Sequence, residues 1–106
     1  MLVDIVYDFT ECFPKTEYYG LRSQMRASAV SIPSNIAEGS QRKTDRDFAN
    51  FTAIAKGSLA ELFTQTIVAR RRKYLTEEQA QTMLQSIDEL DKMLYAFHEK
   101  LTAPSS

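Results

Sequence analysis

Hydrophobic residues recur at helical spacing in four stretches of the chain, and short polar connections separate the stretches. In the fourth stretch the apolar residues step by four, three, four, three and four, the period of a helix with one buried stripe. They are Met83, Ile87, Leu90, Leu94, Phe97 and Leu101. The stripe of the third stretch runs through Phe48, Phe51, Ala55, Leu59, Leu62, Thr66 and Ala69. The pattern predicts helices over about residues 2–13, 19–38, 45–73 and 77–101.

Proline and glycine mark boundaries in the first two stretches. Pro14 pushes the preceding residue out of the α region, so it predicts the end of the first helix. Pro33 lies inside the second stretch, where it removes one backbone donor and predicts a kink. Gly39 follows the last residue of that stretch and is predicted to end the helix in a left-handed conformation.

Threonine caps mark the starts of the last two helices. Thr44 precedes an acidic first turn, and Thr76-Glu-Glu-Gln79 matches a capping box. Four amphipathic helices joined by short loops favour an all-α fold, an antiparallel up-down-up-down four-helix bundle. We expect residues 1–103 to form this single domain and residues 104–106 to be a frayed tail.

Composition and charge are those of a folded protein with no strong electrostatic bias. Hydrophobic residues make up 43% of the chain and charged residues 25%, and the net charge of −1 gives no global basic field for nucleic acid. The single Cys12 excludes an intramolecular disulfide and suits a reducing compartment. Without a basic n-region or an apolar run of about 20 residues, we expect a cytoplasmic protein with no signal peptide and no membrane contact.

The sequence contains few of the histidine and cysteine residues that catalytic sites use. His98 is the only histidine and lies beside the apolar stripe of the fourth helix, while Cys12 falls on the predicted core stripe of the first. A di-iron bundle needs Glu-x-x-His on two helices, and this chain has no such motif. We therefore expect no enzyme activity, no catalytic or metal-binding residue, no cofactor and no small-molecule substrate.

Basic residues gather in two places. They are Arg42, Lys43 and Arg46 at the turn between the second and third helices, and Arg70, Arg71, Arg72 and Lys73 at the end of the third. The simpler interpretation of the second group is that cations complement the helix dipole. The alternative is that both groups form a nucleic-acid-binding surface through phosphate contacts.

Three polar residues flank the predicted core stripes of the second and third helices. They are Asn35, Glu38 and Glu61. One interpretation is simple solvent exposure. The other is a hydrogen-bonded network between the two helices, in which Arg22 or Arg26 satisfies a carboxylate.

Small and apolar residues also lie away from the core stripes. On the third helix these are Ala49, Ala53, Ala60 and Ile67 on one side and, on another flank that also contains Glu61, Ile54, Gly57 and Val68; on the second helix they are Val30, Pro33 and Ala37. A single bundle of this size cannot bury two apolar surfaces per helix. The pattern therefore predicts a homo-oligomer, with closed cyclic symmetry as the default.

Two segments resemble a known family. The segment from Ser23 to Ser40, SQMRASAVSIPSNIAEGS, and the segment from Ile54 to Leu62, IAKGSLAEL, are similar to the four-helix-bundle proteins of the 23S ribosomal RNA intervening-sequence family. The resemblance implies an antiparallel bundle that assembles into a ring, with a pentamer expected. Accessory proteins of diversity-generating retroelements are similar in fold, and their expected role is as basic partners of nucleic acid or reverse transcriptase.

The resemblance implies little about activity. We expect a non-enzymatic structural or scaffolding oligomer, and the alternative is an accessory module that binds RNA, DNA or a reverse-transcriptase-like partner through basic patches repeated around a ring. The family tends to carry a polar residue after Glu61-Leu62, whereas this chain has Phe63. That difference predicts a subunit contact at Phe63.

Overall fold

The computed structural model describes residues 1–104 and shows an all-helical chain, which confirms the predicted fold class. The helices are α1 (Leu2–Thr10), α2 (Leu21–Ser40), α3 (Asp45–Arg71) and α4 (Glu77–Thr102), with a 3₁₀ turn at Lys15–Glu17. Of the predicted tail, Pro104 is exposed, and residues 105 and 106 lie outside the described residues. No helix in the described range is long and apolar enough to cross a membrane.

The helices are arranged as the four sides of an elongated bundle measuring 52 × 23 × 18 Å. Contacts join α1 to α2, α2 to α3, α3 to α4 and α4 back to α1. Phe48, near the start of α3, lies edge-on against Phe97, near the end of α4, with ring centroids 5.2 Å apart. An antiparallel order requires contacts of this kind; that order and the kink at Pro33 stay predictions, and α2 continues through Pro33 without interruption.

The two long stripes predicted from the sequence form the core. Ala55, Leu59, Leu62, Thr66 and Ala69 of α3 are buried, as are Met83, Ile87 and Leu94 of α4. The remaining members of both stripes are partly buried. The buried Thr66 hydroxyl donates to the Leu62 carbonyl at 2.7 Å, so this polar side chain enters the core without an unpaired donor.

The first helix ends three residues earlier than predicted. Thr10 is its last residue, and the chain then turns so that Phe13 is buried against Tyr74, with ring centroids 5.4 Å apart. The prediction that Cys12 lies in the core of this helix is wrong, because the turn leaves its side chain exposed. The predicted stripe assumes that the helix continues through Cys12 and Phe13. In the structure the chain turns after Thr10, and the turn buries Phe13, the larger of these two side chains.

Gly39 does not end α2, contrary to the prediction. Among the described residues no glycine has a positive φ, and α2 continues through Gly39 to Ser40. A Cβ atom at this position would lie 2.7 Å from Cδ1 of Phe48 and 2.8 Å from Cβ of Phe51. The glycine is therefore required by the close approach of α3 rather than by backbone conformation.

The predicted caps are present at the starts of α3 and α4. The Thr44 hydroxyl accepts a hydrogen bond from the Asp47 amide at 3.1 Å. Thr76 and Gln79 form the full capping box, each side chain accepting from the other's backbone amide at 3.0 Å. These bonds satisfy amides that a helix start leaves unpaired, so sequence signals fix both boundaries locally.

The end of α3 uses a residue that sequence patterns do not favour there. The predicted helix includes Lys73, but α3 ends at Arg71 and Lys73 has a φ of 62°. The Tyr74 amide donates to the Ala69 carbonyl at 2.9 Å, and the Lys73 amide donates to the Arg70 carbonyl at 3.0 Å. This is the Schellman arrangement, in which glycine is the usual left-handed residue.

We predict that Gly39→Ala lowers the free energy of unfolding by about 1–3 kcal/mol, because the added methyl group overlaps the side chains of α3. Gly57→Ala is the matched control, since a Cβ there meets nothing within 4 Å. The control should instead gain up to about 1 kcal/mol from helix propensity. Urea unfolding followed by circular dichroism measures both, and equal stabilities for the two variants would contradict this account.

Candidate subunit and nucleic-acid interfaces

Arg26 joins α2 to the end of α1. Its Nε donates to Thr10 Oγ1 at 2.9 Å, and its Nη2 donates to the Tyr7 carbonyl at 3.1 Å and to Glu11 Oε2 at 3.1 Å. The guanidinium also lies over the Tyr7 ring, 4.5 Å from its centroid. Because the Tyr7 carbonyl belongs to the last turn of α1, Arg26 satisfies an acceptor that the helix end leaves free.

The predicted network between Arg22 or Arg26 and the polar residues of α2 and α3 has different partners in the structure. Asn35 follows Arg26 by nine residues, which at 3.6 residues per turn places it on the opposite side of α2. Arg26 therefore contacts α1, and Arg22 lies one helical turn before Arg26 on the same side of α2. Glu38 and Glu61 are exposed, and neither receives a hydrogen bond from these arginines in the described part of the chain.

Asn35 is part of a smaller polar cluster between α2 and α3. Its Nδ2 donates to the Ser31 carbonyl at 2.8 Å and to Ser31 Oγ at 3.0 Å, and the Ser31 and Ser58 hydroxyls are 2.8 Å apart. Ser31 and Ser58 line a groove between α2 and α3 together with Gln65. The buried Oε1 of Gln65 has no hydrogen-bond partner among residues 1–104. Serines at this contact permit close approach of the two helices.

Three exposed tyrosines and two partly buried arginines form a surface that we call the tyrosine–arginine patch. Its members are Tyr7 of α1, Tyr18 and Tyr19 of the connection, and Arg22 and Arg26 of α2. They surround a concavity of about 560 Å³. The Arg22 guanidinium lies 4.1 Å from the Tyr18 ring centroid, and the Tyr19 side chain is 99% exposed.

Sequence reasoning missed the tyrosine–arginine patch because its members come from three separate segments. A local signal was available. Arg22 and Arg26 are four residues apart, so they share one side of α2, and the pair Tyr18-Tyr19 directly precedes that helix. The contribution of Tyr7 could not be read from the sequence, since it depends on how α1 packs on α2.

A second concavity, of about 370 Å³, lies between α3 and α4. We call its exposed part the Phe63–aspartate patch, defined by Phe63, Asp88 and Asp91. The Phe63 ring is 48% exposed. Asp88 forms an ion pair with Lys92 at 3.1 Å, whereas Asp91 has no ion pair with any residue of the described range.

An apolar groove of about 650 Å³ lies where α1 begins, between α2 and α4. Its walls include Leu2, Ile32, Pro33, Leu90 and Met93. The predicted apolar flank of α2 contributes Pro33 and Ala37 here, while Val30 of that flank borders the tyrosine–arginine patch.

The first basic cluster lies at the turn between α2 and α3. Arg42 pairs with Glu38, and its guanidinium lies 4.7 Å from the Phe51 ring centroid. Lys43 and Arg46 are exposed. In this cluster Arg42 thus already contacts a carboxylate and an aromatic ring.

The second basic cluster lies at the end of α3. Arg70 is 3.8 Å from a carboxylate oxygen of Glu77, while Arg71, Arg72 and Lys73 are exposed. The 27-residue α3 separates the two clusters, a distance of about 40 Å at 1.5 Å per residue. The structure therefore does not bring the seven basic residues together into one surface on a single chain.

Cys12 and His98 do not form a catalytic pair. His98 Nδ1 lies 2.6 Å from the hydroxyl of the buried Thr52, which itself donates to the Ala49 carbonyl at 2.9 Å. The His98 ring is thus hydrogen-bonded within the bundle, to a buried hydroxyl of α3. Within residues 1–104 no group of three or more His, Cys, Asp and Glu side chains is placed to hold a metal ion.

Comparisons with known proteins agree with this architecture. A crystal structure of a protein with unknown function from the S23 ribosomal protein family of Bacteroides thetaiotaomicron has a TM-score of 0.82. The two are 26% identical, over 92% of this chain and 88% of that one. No curated protein sequence matches this chain. The family model of the 23S rRNA-intervening sequence protein matches residues 1–96, and the chain therefore belongs to that family.

Proposed function

We propose that this protein is a non-enzymatic, cytoplasmic scaffold that acts as a homo-oligomer. The observation that carries the proposal is the exposure of large apolar side chains on more than one side of the bundle. Ile54 of α3 is 51% exposed, Phe63 of α3 is 48% exposed and Tyr95 of α4 is 56% exposed. Single exposed apolar residues are ordinary on protein surfaces, whereas groups of exposed apolar residues indicate a contact surface.

The exposed apolar residues of α3 lie on two separate lines. Ile54 and Val68 are fourteen residues apart, which places them on one line of the helix, beside the polar groove shared with α2. Phe63 lies on a different side and borders the cavity shared with α4. A second copy of the chain covering these sides would remove apolar surface from water and stabilise the assembly.

The use of two different sides favours a heterologous assembly. When each subunit presents two unlike surfaces, the contacts run head to tail and close into a ring if the rotation permits. The number of subunits is not determined by these surfaces. The expectation of a pentamer comes from the family resemblance.

The environments of the candidate chemical groups support the non-enzymatic part of the proposal. His98 is hydrogen-bonded to Thr52, inside the bundle at the start of α3. Cys12 follows Glu11, whose carboxylate pairs with Arg26 near the start of α2. A nucleophile needs a base within hydrogen-bond reach, and these two residues are held by different ends of the bundle.

Nucleic-acid binding is the second candidate function. Its support is the exposure of Lys43, Arg46, Arg71, Arg72 and Lys73, for which the described residues supply no ion pair. In a ring of parallel subunits, each basic cluster would repeat around one rim. Repetition would raise the avidity of a weak phosphate contact without requiring a large patch on each chain.

We predict that the protein sediments as a multiple of 12.1 kDa at micromolar concentration, and five times that mass is the expected size. Phe63→Ser should weaken association about tenfold or more because it removes an exposed aromatic ring from the contact. Phe63→Tyr keeps the ring and should associate like the natural protein. Sedimentation velocity over a dilution series measures all three, and a 12.1 kDa monomer throughout would refute the scaffold proposal.

For the second candidate, we predict that the oligomer binds a fluorescein-labelled single-stranded RNA at about 50 mM salt and that affinity falls steeply with added salt. The double variant Arg71→Glu with Arg72→Glu should weaken binding more than about tenfold. Charge reversal at Asp47, an exposed acid near the other end of α3, is the control and should not weaken it. Fluorescence anisotropy gives the affinities, and absence of binding at low salt removes this function.

A further inference from the structure

We propose that the tyrosine–arginine patch of one protomer binds the Phe63–aspartate patch of a second copy of the chain. The inference rests on the proposed homo-oligomer and adds which surfaces make the contact. It assigns both patches to a single head-to-tail interface, in which every protomer uses each patch once.

The two patches lie on opposite sides of the bundle. The tyrosine–arginine patch is formed by α1, α2 and the connection between them, whereas the Phe63–aspartate patch is formed by α3 and α4. Because the helices contact one another in the cyclic order α1, α2, α3, α4, these two pairs are opposite sides of the four-sided arrangement. A surface and its complement on opposite sides let identical subunits associate in a row or ring.

The patches also lie at the same height along the bundle. Ser31 of α2 contacts Ser58 of α3, and Gln24 and Gln65 line the same groove between these helices. The α2 segment from Arg22 to Val30, which borders the first patch, is therefore level with the part of α3 that carries Phe63. Two protomers aligned side by side therefore bring Phe63 of one to the level of this α2 segment of the other.

Charge complementarity indicates the second copy as the occupant. Arg26 is already paired with Glu11, and Asp88 is already paired with Lys92. The charged residues of the two patches that have no ion pair within residues 1–104 are Arg22 in the first and Asp91 in the second. Each patch therefore offers one charge without an ion pair, a cation on one side and an anion on the other, and the two can pair across an interface.

The apolar parts of the two patches are complementary as well. Phe63 is half-exposed on one surface, and the other is a concavity of about 560 Å³ bordered by three tyrosines. Aromatic residues and arginine are enriched in the centres of protein interfaces, where they contribute a large share of the binding energy. Insertion of Phe63 among the tyrosines would bury apolar surface on both partners.

Charges around the tyrosine–arginine patch favour a protein occupant over a nucleic acid. Asp8 and Glu11 are exposed on and just after α1, beside Tyr7, and the chain as a whole carries a net charge of −1. Because Glu11 pairs with Arg26, the patch offers a phosphate backbone only Arg22 as an arginine without an ion pair among residues 1–104, whereas one protein carboxylate needs only that arginine. The stacked Arg22 is thus better suited to Asp91 than to a polyanion.

The test is a charge exchange between the two patches. Arg22→Glu and Asp91→Arg should each weaken self-association about tenfold or more, because each places like charges opposite one another. A chain that carries both substitutions should associate as tightly as the natural protein, since the introduced glutamate of each protomer then meets the introduced arginine of the next. Sedimentation velocity over a dilution series gives the association constants.

Lys100→Glu is the control, a charge reversal at an exposed residue outside both patches and both basic clusters, and should leave association unchanged. Circular dichroism verifies that every variant is folded. If the natural protein is a monomer, the scaffold proposal itself fails. If it is an oligomer that Asp91→Arg does not weaken, the scaffold stands and the pairing of patches is wrong. RNA binding lost in Arg22→Glu, with the oligomer intact, would assign the patch to nucleic acid and also overturn the pairing.

Discussion

The close contact between α2 and α3 is the constraint on which the rest of the structure depends. Gly39 leaves no room for a side chain beside the Phe48 ring and the Phe51 Cβ atom, and the hydroxyls of Ser31 and Ser58 are 2.8 Å apart. Small residues at such a contact let two helices approach closely, but they supply little apolar volume between them. The large side chains of α3 are therefore divided between the core shared with α4 and the outer surface. The exposed Ile54, Phe63 and Val68 follow from that division.

The short first helix is the second determinant of the surface. A helix of nine residues is marginal by itself, so α1 depends on its apolar contacts and on the three bonds that Arg26 donates to its end. Because Arg26 holds the end of α1 in place, it also positions Tyr7 within the tyrosine–arginine patch. Local stability and the proposed subunit surface thus involve the same side chains.

Features whose cause is local could be predicted from the sequence, and features that depend on a neighbouring helix could not. The caps at Thr44 and Thr76 bond to amides three residues away, so a short pattern is enough to find them. Gly39 has the signature of a helix end, yet its true role depends on rings from α3. The pattern places Cys12 in the core because it cannot show where burial of Phe13 turns the chain. The extra apolar surface was visible as a pattern, but its grouping into two complementary patches requires the cyclic arrangement of the helices.

The exposed surfaces of the bundle supply the physical reason for self-association. The central claim is that unlike, opposite faces of identical subunits meet head to tail. It is tested most directly by cross-linking a chain with Cys12→Ser that carries both Tyr19→Cys, in the tyrosine–arginine patch, and Thr64→Cys, next to Phe63 in the lining of the concavity between α3 and α4, with a short bis-maleimide. The account predicts a ladder of covalent oligomers that ends at the size of the native ring, while either cysteine alone yields only monomers. A product limited to dimers, or equal cross-linking by one cysteine alone, would contradict it.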